Sequence, residues 1–119
     1  MVEKFRVVFH ISSYNIEAFN RMLSNIYNLL NDVGHNNADI IVIANGSAVN
    51  HFVKSSLSES TSRRLRRLRE RRVKFYICRN SLKNQGLKEE DIDDTCNFID
   101  VGITELIRLQ YKGYAYIKP

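Results

Sequence analysis

Two cysteines, a single proline at the last position, five glycines and no long apolar run set the first limits on this chain of 119 residues. Cys78 and Cys96 are too few for a disulfide framework, and neither belongs to a C-x-x-C pair or to a ligand cluster with the three histidines. That pattern argues for a reducing compartment and against a structural zinc. The longest aliphatic run, Ile40 to Ala44, is far below the roughly 20 residues of a membrane helix. The start, Met1-Val2-Glu3-Lys4, carries an acid and no apolar run of signal-peptide length. A soluble, cytoplasmic protein with no membrane partner is expected.

The common enzyme signatures are missing too. There is no G-x-G-x-x-G, no G-x-x-x-x-G-K-[ST], no G-x-S-x-G and no H-E-x-x-H, which removes the usual dinucleotide, P-loop, hydrolase and zinc-protease readings. Asp91, Asp93 and Asp94 lack the glycine and distal glutamate of a calcium loop and read as a solvated turn. No metal and no organic cofactor is expected.

What is present begins with charge. The net +5 is concentrated between Arg63 and Arg72, where seven arginines and Glu70 give a local +6, so the remaining residues carry −1. This reads first as a solvated helix face. Nucleic acid is the lower-ranked partner, because no aromatic stacking pattern accompanies the arginines and the rest of the chain is close to neutral.

The length fits one domain, residues 1–119, able to bury about 65% of its unfolded surface. Lys4 to Ile11 alternates as a strand, with Phe5, Val7, Phe9 and Ile11 on one face. From Ile16 the apolar residues Ile16, Phe19, Leu23, Ile26 and Leu30 step by three and four, which predicts a core-facing helix capped by Ser13 or Asn15 and closed by Gly34. Ile40 to Ala44 suits a strand covered on both faces and ended by Asn45-Gly46-Ser47. A helix from about Val49 to Glu70 follows, with a break possible in the serine-rich Ser55 to Ser62 stretch. Val73 to Cys78 predicts a third strand, Asn80 opens a short helix ended by Gly86, and Lys88 to Asp91 turns. Phe98 to Val101 predicts a fourth strand, Gly102 opens a helix that Gly113 ends, and Tyr114 to Ile117 reads as the last strand. Strands alternating with helices predict a three-layer α/β/α fold with a mostly parallel sheet of about five strands.

Ligands in such folds sit beyond the carboxyl ends of the strands. His10, Asn45-Gly46 and Cys78-Arg79-Asn80-Ser81 all collect there. Cys78 is the candidate nucleophile, since a strand-end cysteine entering a helix meets unpaired N–H groups, and Arg79 supplies an adjacent cation. Arg79, Asn80, Ser81, Asn45, Gly46 and His10 are the candidate binding or thiolate-stabilising residues. The competing reading makes Cys78 a small buried hydrophobe.

From Cys78-Arg79-Asn80-Ser81-Leu82 onward, the chain resembles the DsrE/DsrF-like family of small sulfur-relay-type proteins. The likeness continues through Gly86 to Ile92, Gly102 to Gln110 and Gly113 to Pro119, and includes the strand Ile40 to Ala44 with its Asn45-Gly46 turn. The resemblance implies the same α/β fold, assembly into homo-trimers or homo-hexamers, and a cysteine at position 78 that carries persulfide sulfur in the transferring members. It matches no partner role to Cys96. Two functions compete on these grounds. In one the protein is a sulfurtransferase or sulfur carrier that takes persulfide sulfur on Cys78 from a donor and gives it to a thiol of an acceptor protein. In the other it is a non-catalytic oligomeric module that binds a small ligand or anion, with Cys78 structural, and a buried, inert Cys78 is its mark.

Overall fold

The computed structural model describes residues 4–119, so Met1, Val2 and Glu3, part of the stretch read above for a leader, lie outside the described residues. Its five strands are β1 (Phe5–Ile11), β2 (Ala38–Ala44), β3 (Lys74–Cys78), β4 (Cys96–Ile99) and β5 (Ala115–Ile117). They form one all-parallel sheet in the order β4-β3-β2-β1-β5. The helices are α1 (Ile16–Val33), α2 (Glu59–Glu70), α3 (Arg79–Asn84) and α4 (Gly102–Tyr111).

Alternation in β1 decides which side chain goes where. Val7, Phe9 and Ile11 enter the larger core with Phe19, Leu23 and Ile26 of α1 and with Leu65 and Leu68 of α2. Val8 points the other way, to Ile41, Ile43 and to Leu106 and Leu109 of α4. One face of the sheet therefore carries α1, α2 and α3, and the other carries α4. Three layers follow, as expected.

The direction of the chain explains that division. From β1 to β4 each new strand is added on the same side, and right-handed crossovers keep the connecting helices on one face. β5 returns to the far side of β1, so its crossover, α4, must use the opposite face. The loops after β3 and β4 consequently leave the sheet in opposite directions and part from each other. Cys78 ends β3 at that parting, opposite Ile99 of β4.

Three local readings of the sequence are corrected. The helix expected from Val49 to Glu70 is instead a 3-10 turn at Gly46–Phe52, another at Lys54–Ser56 and then α2. Val53 is extended and bridges antiparallel to Ile92, while the Ser58 hydroxyl accepts from the Thr61 N–H and starts α2 afresh. β4 begins at Cys96 and not at Phe98, because Cys96 stands in register with Phe75 and packs into the core. Its end moves back as well, from Val101 to Ile99, since its partner β3 ends at Cys78, opposite Ile99, where α3 begins. Asp93 is tied down rather than merely solvated, accepting from both the N–H and the hydroxyl of Thr95.

Asn15, with its side chain on Ala18 N–H at 2.9 Å, is the cap of α1. The arginines of 63–72 make no ion pair among the described residues. Arg64, Arg71 and Arg72 hydrogen-bond instead to the neutral side chains of Asn20, Asn31 and Asn36.

Two glycines with left-handed backbones offer a test. Gly46, at φ +57°, has no room for a Cβ, which would lie 2.8 Å from the Ser12 carbonyl oxygen, whereas Gly86, at φ +70°, faces open space. Gly86→Ala should cost about 1 kcal/mol of stability from backbone strain alone, and Gly46→Ala about 2 kcal/mol or more from strain plus the clash. Urea midpoints of the two variants check the order, and equal losses would refute it.

Candidate functional site

The apolar residues Phe75 and Ile77 anchor β3 in the core and carry it to Cys78, where the sheet ends and α3 starts at once. Cys78 occupies the residue before the first turn of α3, beside the N–H groups at that helix start, with no cap hydrogen bond from them to its sulfur. From the other side, the Gly102 N–H at the start of α4 donates to Sγ at 3.3 Å. The Asp100 carbonyl oxygen lies 3.8 Å from the same sulfur. The thiol is thus gripped between α3 and the β4–α4 connection.

Ser81 completes the grip. Its Oγ accepts from Gly46 N–H at 2.7 Å, which uses an oxygen lone pair and leaves the hydroxyl proton for the sulfur. Burial pushes the Cys78 thiol up, but the Ser81 hydroxyl, Gly102 N–H and the N–H groups of Ser81 and Asn80 outweigh it, so the pKa falls below its ordinary value. Cys96 shows the opposite balance. It is enclosed by the core, and burial foremost, helped by Asp93 and Asp94 against a hydrogen bond from Thr95 and the charge of Arg69, drives its thiol up to about 12.

The expected part played by Arg79 is corrected. Its Nε holds Glu89 and its Nη1 holds Asp100, both at 2.9 Å, and its charge is not among the causes of the lowered Cys78 pKa. Hydrogen bonds, and not a neighbouring cation, favour this thiolate. An accessible thiol is not what is found either, because Cys78 is only 3% exposed beneath Asp100, Val101 and Gly102.

Asn80 and Ser81 adjoin Cys78 at the start of α3, and Gly46 is linked to them through its N–H on Ser81 Oγ. His10 and Asn45 form a neighbouring unit. Asn45 Oδ1 can only accept, so His10 Nε2–H donates to it at 2.8 Å, and His10 Nδ1 then accepts from the Tyr116 hydroxyl at 2.6 Å. Burial, with Lys118 nearby, lowers the His10 pKa despite the Asn45 bond, so the ring is neutral at pH 7 and is bound on both nitrogens. Asn45 reaches the thiol indirectly, by packing on Gly102. A Cβ at position 102 would lie 3.2 Å from Asn45 Cβ and 3.4 Å from Ile43 Cγ2.

The DsrE/DsrF-like family profile matches residues 4–119. The chain belongs to the DsrE/DsrF-like family. This family is generally associated with sulfur relay. Among solved structures, the chain is similar to a protein of unknown function from Methanobacterium thermoautotrophicum, with 30% identity, 98% of this chain and 100% of that one covered, and a TM-score of 0.88. The ychN protein from E. coli shares the fold at 15% identity, with 97% and 99% covered and a TM-score of 0.78. A conserved protein of unknown function from Bacteroides thetaiotaomicron does so at 15%, with 95% and 93% covered and a TM-score of 0.72. No curated protein matches.

Within this DsrE/DsrF-like fold, sequence reasoning missed Gly102, Asp100 and Tyr116. Gly102 was legible as a helix opening without a capping side chain, which leaves its N–H free to serve another group. Nothing local marks Asp100 or Tyr116, whose partners lie 22 and 106 residues away in the chain.

Alkylation rates against pH, resolved cysteine by cysteine, check the two thiols. Cys78 should titrate below the ordinary value of about 8.5, and Ser81→Ala should raise its midpoint, while Cys96 stays unreactive through pH 10. The linkage to stability has opposite signs at the two sites. The lowered Cys78 pKa contributes stability that is present above its unfolded pKa and lost as pH falls through the folded one. The raised Cys96 pKa contributes stability that is present below its unfolded pKa and lost as pH rises toward about 12. Cys96→Ala should therefore flatten the alkaline loss of stability, and a steeper loss would contradict the assignment.

Proposed function

We propose that Cys78 accepts a sulfane sulfur as a persulfide and passes it to a thiol of a partner protein. The observation that carries this reading is the Gly102 N–H donated to the Cys78 sulfur at 3.3 Å, beside Ser81 and the start of α3 and with a lowered thiol pKa, where Cys96 meets only the Thr95 hydroxyl and is driven up. In the first step the Cys78 thiolate attacks the outer sulfur of a donor persulfide, R–S–SH. A bond forms between Sγ and that sulfur, the donor's S–S bond breaks, and the donor leaves as R–S⁻ with the electron pair. The proton stays on the transferred sulfur and no net oxidation occurs.

Release repeats the exchange with the acceptor thiolate attacking the outer sulfur. Cys78 is then the leaving group, and the hydrogen bonds that lower its pKa speed its departure. Two free cysteines fit a reducing, cytoplasmic setting.

The 3% exposure of Cys78 favours a second reading, an oligomeric binding module in which the thiol is structural. Sulfur uptake separates the two. Reduced protein treated with inorganic polysulfide should gain one sulfur atom on Cys78, none on Cys96 and none in Cys78→Ser, read by peptide mass. No gain on Cys78 would leave the binding module as the better account.

The working form is a homo-trimer or homo-hexamer in this proposal. Ile103, Ile107 and Tyr111 line one outward stripe of α4 at spacings of four, and Tyr111 is 87% exposed. Exposed Tyr116 and Ile117 on the edge strand β5 add to the uncovered apolar surface. Light scattering should give a multiple of 13.9 kDa that collapses to that mass in the Ile107→Asp, Tyr111→Asp double variant. A wild-type monomer would remove the claim.

A further inference from the structure

We propose that the cleft bordered by Asp100 and Val101, part of the segment that covers Cys78, binds the carboxylate of a small sulfur-carrying thiol, with Arg79 and Arg108 as its ligands and with that carboxylate taking the place of Asp100 on Arg79. The inference rests on the sulfur-accepting reading of Cys78 and names the class of donor. The cleft measures about 430 Å³ and opens where the loops after β3 and β4 part. Its volume is in the range of small-molecule sites, about 300–1,000 Å³.

Phe98 and Val101 give it an apolar lining, Thr104 adds a hydroxyl, and the two guanidinium groups stand at its wall. Arg79 lies 5.8 Å from the Phe98 ring centroid and is anchored on one edge by Glu89. Its other edge, Nη1, is held by Asp100, whose side chain is 87% exposed. Arg108 is held by Glu105 at 2.6 Å, a less open pair whose carboxylate side chain is 24% exposed. The Arg79–Asp100 pair, open to water, is worth little net, so an external carboxylate that adds apolar contact can displace Asp100.

Displacement has a consequence for the sulfur. The Asp100 carbonyl and the Gly102 N–H both touch Cys78 Sγ, so residues 100–102 are the cover over the thiol. The Arg79 pair is the side-chain anchor of that cover. Exchange of Asp100 for a ligand carboxylate loosens it and brings the ligand's sulfur to the same opening. Recognition of the donor and exposure of the nucleophile are then one event.

Iodoacetate and iodoacetamide test this, because both alkylate a thiolate and differ in carrying a carboxylate or a neutral amide. The ratio of their rates at Cys78, divided by the same ratio for a free cysteine derivative, should be about threefold to fivefold, the effect of one solvent-exposed charge contact. The preference should fall to about one in Arg79→Gln, Arg108→Gln. A wild-type ratio of one or less, or a preference that survives both substitutions, overturns the proposal.

A second measurement needs no reaction at sulfur. Sodium acetate, compared with sodium chloride at equal ionic strength, should give saturable shifts of the Val101 and Thr104 amide resonances in the wild type and none in the double variant. Identical responses to the two salts overturn the site. Because this arm needs no sulfur chemistry, a failed sulfur uptake and a failed cleft are told apart.

Discussion

The handedness of parallel crossovers is the constraint on which the rest depends. Four strands added in one direction commit α1, α2 and α3 to one face, and the return of the chain to place β5 beside β1 commits α4 to the other. The chain therefore splits at the carboxyl ends of β3 and β4, and ligands in open parallel sheets bind where adjacent connections diverge in this way. A cysteine one position from that divergence is flanked by two helix starts from opposite layers. No special loop has to be built to surround it.

The two cysteines show how little separates a thiol with a lowered pKa from one with a raised pKa. Both are buried, and burial raises both pKa values. Cys96 finds a weak contact with the Thr95 hydroxyl at 3.8 Å, in the company of Asp93 and Asp94. Cys78 finds the backbone N–H of Gly102, the start of α3 and a hydroxyl whose acceptor side is already occupied by Gly46. The same donors link the thiol to the β2 turn, so strain introduced at Gly46 reaches Ser81 and the sulfur together. The cover of residues 100–102 supplies one of these donors, so opening the thiol to a partner also weakens the stabilisation of its charge. Access and acidity oppose each other here.

Much of this was legible in the sequence, for identifiable reasons. Strong periodicity in Phe5 to Ile11 and in α1, and the β-branched run of β2, gave elements whose type agrees with the structure and whose faces agree except at the first residues, Phe5 and Ile16, which are exposed. The position of Cys78 at the end of a strand was readable because Phe75-Tyr76-Ile77 is apolar and Arg79-Asn80-Ser81 is not. The Val49 to Glu70 helix misled, since Val53 sits at a helical spacing from Leu57 yet pairs with Ile92 far along the chain. Arg79 misled for a related reason: adjacency in sequence suggested a cation beside the sulfur, while Glu89 and Asp100 draw the guanidinium elsewhere. The decisive donor, Gly102, is 24 residues from Cys78 and gains its role from the β3–β4 pairing and the crossover of α4.

The central claim is that the Cys78 thiolate is held by this converging set of donors. The amide proton of Gly102 reports on it directly, because its hydrogen bond strengthens when the sulfur acquires charge. Followed by NMR against pH, its shift should trace one titration with a midpoint below about 8.5, absent in Cys78→Ala. A Gly102 amide that stays flat through that range, or that titrates equally without the thiol, would contradict the account.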